Sequence, residues 1–118
     1  MDDLLLERIL GAVELIPPGR VASYGDIARV TGTSPRLVGR VMSTWGADVP
    51  WWRVVNATGD HPVRPAERWL AHWREEGIAV KASGRGCRIT AHRVDLEDLH
   101  RQWEAHIARI VEDDPGRA

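Results

Sequence analysis

Residues 23–45 read SYGDIARVTGTSPRLVGRVMSTW, and this stretch decides the fold. Ser23 and Asp26 have the spacing of a capping box, which predicts the start of a short helix that ends near Gly32. Ser34 then begins a second helix as its N-cap, with a proline at the first helical position, where the missing N–H is not needed. Two short helices joined by a tight turn predict a helix-turn-helix.

The second helix of this pair has two distinct faces. Five apolar residues at spacings of three and four are expected to face the core: Leu37, Val38, Val41, Met42 and Trp45. Arg36, Gly39, Arg40 and Ser43 fall on the opposite side, where they form a small basic surface. Gly39 lowers the stability of a helix by about 1 kcal/mol relative to alanine, but it leaves room for another backbone to approach. The pattern indicates DNA binding, although a helical hairpin without that role would show the same spacing.

The flanking sequence adds three helices and a short β-run. Periodic apolar residues predict a first helix over about residues 3–15, and Asp95 is expected to cap a last one. A further helix should start at Pro65 and end near Gly77. The run Arg53–Asn56 before a turn predicts a small hairpin or wing. Residues 78–94 are expected to be irregular, with one strand at residues 78–80.

These elements together predict one domain and its organisation. The fold class is mainly α: a winged helix-turn-helix-like single domain with about five helices and a small β-hairpin. We expect it to occupy residues 1–112, followed by a frayed acidic tail over residues 113–118. A chain of 118 residues is long enough for one modest core.

Charge is distributed unevenly along the chain. The net charge of −1 argues against a uniformly basic protein, but residues 17–56 hold five arginines against two aspartates, a net +3. Residues 95–118 have three arginines against seven acidic residues, a net −4. A basic half and an acidic end are compatible with a localised site for a polyanion such as DNA.

The cysteine and histidine content argues against a disulfide-stabilised protein and against a metal-binding protein. The single cysteine, Cys87, rules out an internal disulfide and suits a reducing compartment. No basic signal segment and no apolar run of about 20 residues is present, so we expect a cytoplasmic protein, nucleoid-associated if bacterial, without a membrane partner. The five histidines show no metal-ligand spacing with Cys87. We expect a monomer with no metal and no cofactor.

Three ordered motifs resemble a known family of DNA-repair proteins. Residues 16–28, IPPGRVASYGDIA, look like the opening of the DNA-binding domain of O6-alkylguanine-DNA alkyltransferases. Residues 36–42, RLVGRVM, resemble the recognition helix of that family. Residues 49–56, VPWWRVVN, are similar to its active-site strand, which normally reads Pro-Cys-His-Arg-Val. The likeness covers about residues 4–103.

The departures from the family pattern decide the function that the resemblance implies. Trp51 stands at the position of the alkyl-accepting cysteine, and Trp52 at that of the histidine that activates it. Dealkylation needs a thiolate, and an indole is no such nucleophile. Glu76 matches the glutamate that would orient the histidine, and we expect it to have nothing to orient here. Tryptophan in place of that cysteine is the mark of the alkyltransferase-like proteins.

The resemblance therefore implies a lesion reader that is not an enzyme. Its partners would be double-stranded DNA containing O6-alkylguanine, which it binds by nucleotide flipping, and the nucleotide excision repair proteins that receive the lesion. Six residues would contact DNA: Tyr24, Ser34, Arg36, Gly39, Arg40 and Ser43. Six more would form the alkylguanine pocket: Trp51, Trp52, Arg53, Val55, Asn56 and Arg64.

Three of these residues have more specific roles in the resemblance. Arg36 would enter the duplex and fill the place of the flipped nucleotide, and Tyr24 would press on the neighbouring phosphate. Arg64 lies thirteen residues after Trp51, where some relatives have an arginine that stacks on the base. A cation over an aromatic ring is attractive.

Two alternatives remain from the sequence. One is a helix-turn-helix DNA-binding regulator without lesion specificity. The other is an alkyltransferase that uses Cys87, whose thiolate the neighbouring Arg85 and Arg88 would favour.

Overall fold

The computed structural model describes residues 2–113, and it confirms the mainly helical fold. Within those residues there are six α-helices and two short strands: α1 (Asp3–Glu14), β1 (Ala22–Ser23), α2 (Tyr24–Thr31), α3 (Pro35–Trp45), β2 (Val54–Val55), α4 (Glu67–Glu76), α5 (Ile89–His92) and α6 (Leu96–Asp113). Two 3₁₀ turns, Gly46–Asp48 and Trp51–Arg53, precede β2. Of the predicted frayed tail, only Asp113 lies among the described residues, as the end of α6. None of the described helices is long and apolar enough to cross a membrane.

The helix-turn-helix forms where the local signals place it. The Ser23 hydroxyl accepts from the Asp26 N–H at 3.0 Å, and the Asp26 carboxylate accepts from the Ser23 N–H at 3.0 Å. Gly32 ends α2 with a φ of 69°, a left-handed conformation that glycine adopts without strain. The Ser34 hydroxyl caps α3 by accepting from the Leu37 N–H at 3.2 Å. Sequence-local capping therefore fixes both ends of the turn.

The two strands pair in parallel and do not form the predicted hairpin. Ala22 lies opposite Val54 and Ser23 opposite Val55, so the helix-turn-helix is the crossover between them. The chain does turn after β2, but the residues that follow do not pair with β2. Asp60 instead forms an isolated antiparallel bridge with Gly86. The segment that would supply the returning strand contains prolines at positions 62 and 65, which have no N–H to donate.

Two hydrophobic clusters stabilise the domain, and the junction between them positions the site. The larger one joins α1, α2, α3 and α6 around buried residues such as Ile9, Ile27 and Val38. The smaller one joins β2, α4 and Val21, the residue before β1, and its Trp69 and Trp73 are fully buried. The helix-turn-helix lies on the first cluster, and residues 51–52 pack against the second.

Three details differ from the sequence prediction. Trp45 was expected in the core but is 41% exposed, because it ends α3 one turn beyond the buried Val41. The irregular region contains a sixth helix, the single-turn α5. No strand forms at residues 78–80, where the buried Ile78 donates its N–H to the Trp73 carbonyl and follows the helix end.

Candidate nucleic-acid interface

The exposed face of α3 presents the polar residues that the sequence assigned to DNA. Arg36 and Arg40 are exposed, and neither forms an ion pair with any described side chain. Ser43 is also exposed, and its hydroxyl donates to the Arg40 carbonyl at 3.0 Å. Ser34 is exposed, with its hydroxyl engaged in the helix cap. Two unpaired guanidinium groups on one helix face are available for phosphates.

A cavity of about 560 Å³ opens beside this face, between the two hydrophobic clusters. Its lining comes from α2, α3, the following 3₁₀ turn and residues 51–68. Its lining residues are Tyr24, Gly39, Met42, Ser43, Gly46, Ala47, Trp51, His61, Pro62, Val63 and Arg68. The volume lies within the range of about 300–1,000 Å³ that small-molecule sites occupy. The structure therefore has space for a small aromatic group next to Trp51.

Gly39 and Tyr24 contribute to the wall in different ways. A Cβ at Gly39 would meet no atom within 4 Å, so internal packing does not require glycine at this position. The absence of a side chain keeps the cavity and the α3 surface continuous. Tyr24 is half-buried, packs against the larger cluster, and lines the cavity. Burial raises the pKa of the Tyr24 phenol, which therefore stays a neutral hydrogen-bonding group.

Trp51 is held in place by aromatic neighbours on several sides. Its ring meets the rings of Trp52, His61 and His72 edge-on, with centroids 5.8, 5.6 and 5.9 Å away. The Arg68 guanidinium carbon lies 5.5 Å from the Trp51 ring centroid, within the range of a cation–π contact. Trp51 is only partly buried, so part of its indole forms cavity wall.

His61 is a cavity residue that the sequence analysis missed. Its Nδ1 accepts from the Val63 N–H at 3.2 Å, which leaves the proton on Nε2, 3.4 Å from the Trp51 carbonyl oxygen. Burial lowers the pKa of His61 to about 4, with the hydrogen bond to the Trp51 carbonyl opposing and the Arg64 charge assisting. His61 is therefore a neutral ring that fixes the Trp51 backbone near physiological pH.

His61 makes stability depend on pH in a defined window. Its pKa is about 4 in the folded chain and about 6.5 when unfolded, so only the unfolded chain takes up this proton between those values. The contribution of neutral His61 to the free energy of unfolding is therefore complete above pH 6.5, and it is lost as the pH falls from 6.5 to about 4. Urea unfolding at a series of pH values should show this loss, and His61→Gln should flatten it. An equal slope in both proteins would contradict the assignment.

The structure places five of the six predicted pocket residues away from the cavity wall. Trp51 lines the cavity, whereas Trp52, Arg53, Val55, Asn56 and Arg64 do not. Val55 is fully buried as the end of β2, because strand pairing turns it into the core. The Asn56 side chain accepts from the Thr58 and Asp60 N–H groups and stabilises the turn. Arg64 donates to the carbonyls of its own loop, at His61 and Val63.

Trp52 and Arg53 belong to a separate network centred on Glu76, which was expected to have nothing to orient. The Glu76 carboxylate accepts from the Trp52 Nε1–H at 2.8 Å, from two guanidinium nitrogens of Arg53, and from the Gly19 N–H at 3.0 Å. Burial raises the pKa of Glu76, but these hydrogen bonds outweigh it and the net shift is downward. Arg53 also donates to the Ile16 carbonyl at 2.7 Å, so the network joins the end of α1 to the end of α4.

Cys87 has none of the properties of a reactive thiol. It is fully buried in the smaller cluster, and it does not line the cavity. Burial raises the pKa of the Cys87 thiol, and the positive charge of Lys81 only partly offsets this. The expected influence of the neighbouring arginines is overridden because the side chain points into the core.

Comparison with known proteins places the chain in a family. The family model for the DNA-binding domain of 6-O-methylguanine DNA methyltransferase matches residues 5–83. A DNA base-flipping protein of Vibrio parahaemolyticus is 33% identical over 89 residues, which cover 70% of this chain and 89% of that protein. Alkyltransferase-like protein 1 of Schizosaccharomyces pombe is 33% identical over 92 residues, covering 71% of this chain and 85% of that protein. The chain belongs to the alkyltransferase-like family.

Solved structures of that family share the fold of this alkyltransferase-like protein. The crystal structure of S. pombe Atl1 in complex with damaged DNA containing O6-carboxymethylguanine matches it with a TM-score of 0.68 at 29% identity, covering 79% of this chain and 96% of that chain. The S. pombe ATL structure in complex with DNA matches with a TM-score of 0.61 at 30% identity, covering 82% and 94%. The matches confirm the resemblance to this family.

Proposed function

We propose that this alkyltransferase-like protein binds O6-alkylguanine in duplex DNA by drawing the damaged nucleotide into the cavity beside Trp51. The observation that supports it most strongly is the cavity itself, which adjoins the exposed face of α3 and is lined by both Trp51 and Tyr24. Recognition of a base outside the stack requires such a space within reach of the DNA-binding helix. The relatives support the proposal, since one is called a DNA base-flipping protein and another is bound to a damaged duplex.

The energies of flipping and of cavity contacts are comparable. Removing a base from the stack costs a few kcal/mol. Stacking or edge contact with one aromatic side chain contributes about 1–3 kcal/mol, and partly exposed Trp51 is in position to supply it. A guanidinium that fills the vacated place in the duplex would offset part of the remainder, and Arg36 is exposed and unpaired among the described side chains. Lesion binding thus depends on both groups.

The proposed reader leaves the lesion chemically intact. We assign Trp51 to the position at which the repair enzymes of the family have their alkyl-accepting cysteine. Its indole has no basic lone pair and cannot accept an alkyl group as a thiolate does. The buried thiol of Cys87 is not among the groups that line the cavity, so it is not an alternative acceptor.

A paired assay tests binding and chemistry on the same sample. Fluorescence anisotropy should show tighter binding to a duplex containing O6-methylguanine than to the matched guanine duplex. Mass spectrometry after the incubation should show an unmodified protein. Equal affinities would favour a helix-turn-helix regulator without lesion specificity, and a methyl adduct on the protein would show an alkyltransferase.

We further propose that the retained lesion is passed to nucleotide excision repair. A protein that holds an alkylated base without removing the alkyl group needs a second activity to complete repair. Adding the chain to a reconstituted excision reaction should raise the incision rate of a duplex containing O6-methylguanine. An unchanged rate would contradict the hand-over.

A further inference from the structure

The electrostatics of the cavity are dominated by one residue. Of the eleven lining residues, Arg68 alone has a charged side chain, because the pKa of about 4 keeps His61 neutral near pH 7. No aspartate or glutamate is part of that lining. Glu67, next to Arg68 in the sequence, does not line the cavity. An anionic group entering the cavity would therefore meet a cation and no opposing carboxylate.

Arg68 is exposed and has no carboxylate partner among the described side chains, unlike Arg53 and Arg93. Arg53 is paired with Glu76 at 2.7 Å, and Arg93 with Asp26 at 3.0 Å. Arg64 donates to two backbone carbonyls of its own loop. The guanidinium of Arg68 has only the Trp51 ring as a described contact, so its N–H donors are free to meet a ligand.

We propose that Arg68 is a specificity-determining residue that selects O6 substituents ending in a carboxylate. This inference rests on the proposed function and names the class of adduct that the same cavity prefers. A base placed against Trp51 brings its substituent close to the guanidinium that lies 5.5 Å from the ring centroid. A guanidinium and a carboxylate form charge-assisted hydrogen bonds in a planar, bidentate geometry.

The size of the preference follows from the exposure of Arg68. A fully buried charge-assisted pair would change affinity by more than tenfold, but Arg68 is exposed and its charge is screened by solvent and salt. We expect a carboxylate adduct to bind about fivefold more tightly than a neutral adduct of the same size. The preference should shrink at 1 M salt, since screening acts over about 3 Å there.

The test uses three duplexes that differ only at O6 of one guanine. They contain O6-carboxymethylguanine, its neutral isostere O6-carbamoylmethylguanine, and O6-methylguanine. The wild-type protein should bind the carboxymethyl duplex about fivefold more tightly than the carbamoylmethyl duplex. Arg68→Gln should remove this ratio, and Arg68→Lys should keep part of it. Arg74→Gln, which removes a charge from an exposed position two turns later on α4, should leave the ratio unchanged.

The outcomes separate this inference from the function on which it rests. If all three adducts bind no better than guanine, the proposed function is wrong. If they bind better than guanine but the carboxymethyl and carbamoylmethyl duplexes bind equally, or Arg68→Gln keeps the ratio, only the role of Arg68 is wrong. Circular dichroism of each variant shows that it is folded before affinities are compared.

Discussion

Arg36→Ala is expected to lower the affinity for a duplex containing O6-methylguanine by about 30-fold, equivalent to about 2 kcal/mol. Arg36 lies near the start of α3, exposed and one turn before Gly39, which lines the cavity. One helical turn separates the two residues by about 4.5 Å along the axis. In the proposed flipping, the Arg36 side chain would occupy the duplex while the nucleotide occupies the cavity, and its loss would leave the gap in the stack unfilled.

Arg40→Ala is the matched comparison for this prediction. Arg40 lies on the same helix, is also exposed and has the same charge. A phosphate contact weakens binding about equally for damaged and undamaged duplexes. We therefore expect Arg40→Ala to lower both affinities together, whereas Arg36→Ala should lower the ratio between them. Anisotropy titrations with both duplexes measure this, and an unchanged ratio in Arg36→Ala would contradict the flipping model.

The parts of the fold that the sequence predicted are those set by short-range contacts. The capping box of Ser23 and Asp26 spans three residues, and both of its hydrogen bonds are present. The pairing of Ala22 with Val54 joins residues separated by two helices, so no local pattern reports it. A β-favouring run followed by a turn indicates a hairpin, but it does not say which segment the strand will meet.

Dependence on contacts between distant segments also explains which cavity residues could not be predicted from the sequence. Trp51 was found because it lies in a motif, whereas His61 and Arg68 are recognisable only once the loop before α4 and α4 itself are packed against it. Arg68 and His72 are four residues apart and share a helix face that meets the tryptophan pair. The sequence shows from this spacing that Arg68 and His72 share a helix face. Which residues that face contacts depends on tertiary packing.

Adjacent tryptophans serve different parts of the molecule because a 3₁₀ turn directs them apart. Trp51 faces the cavity, while Trp52 stacks on His72 at a centroid distance of 3.7 Å and donates to Glu76. In the family resemblance, Trp52 stands where a histidine would meet this glutamate. The indole N–H supplies a donor to the same carboxylate, so Trp52 makes a structural contact with Glu76.

Glu76→Ala should destabilise the folded protein by about 3–5 kcal/mol, the range for removing one partner of a buried ion pair. The side chains of Arg53 and Glu76 are 12% and 11% exposed, so water cannot replace the lost contacts fully. The substitution leaves the Arg53 guanidinium, the Trp52 indole N–H and the Gly19 N–H without their common acceptor. Urea unfolding measures the change in the free energy of unfolding.

Two further variants make this result specific to the network. Glu75→Ala removes an exposed carboxylate from the same helical turn, and a loss below about 0.5 kcal/mol is expected, as for most surface substitutions. Arg53→Met combined with Glu76→Ala should lose less than the two single changes added together, since no charge is then left buried without its partner. If Glu76→Ala were as mild as Glu75→Ala, the carboxylate would not join the ends of α1 and α4 in solution. The orientation of the segment that carries Trp51 would then have to come from aromatic packing and from the hydrogen bonds that the Trp51 and Trp52 carbonyls accept from His61 and Trp73.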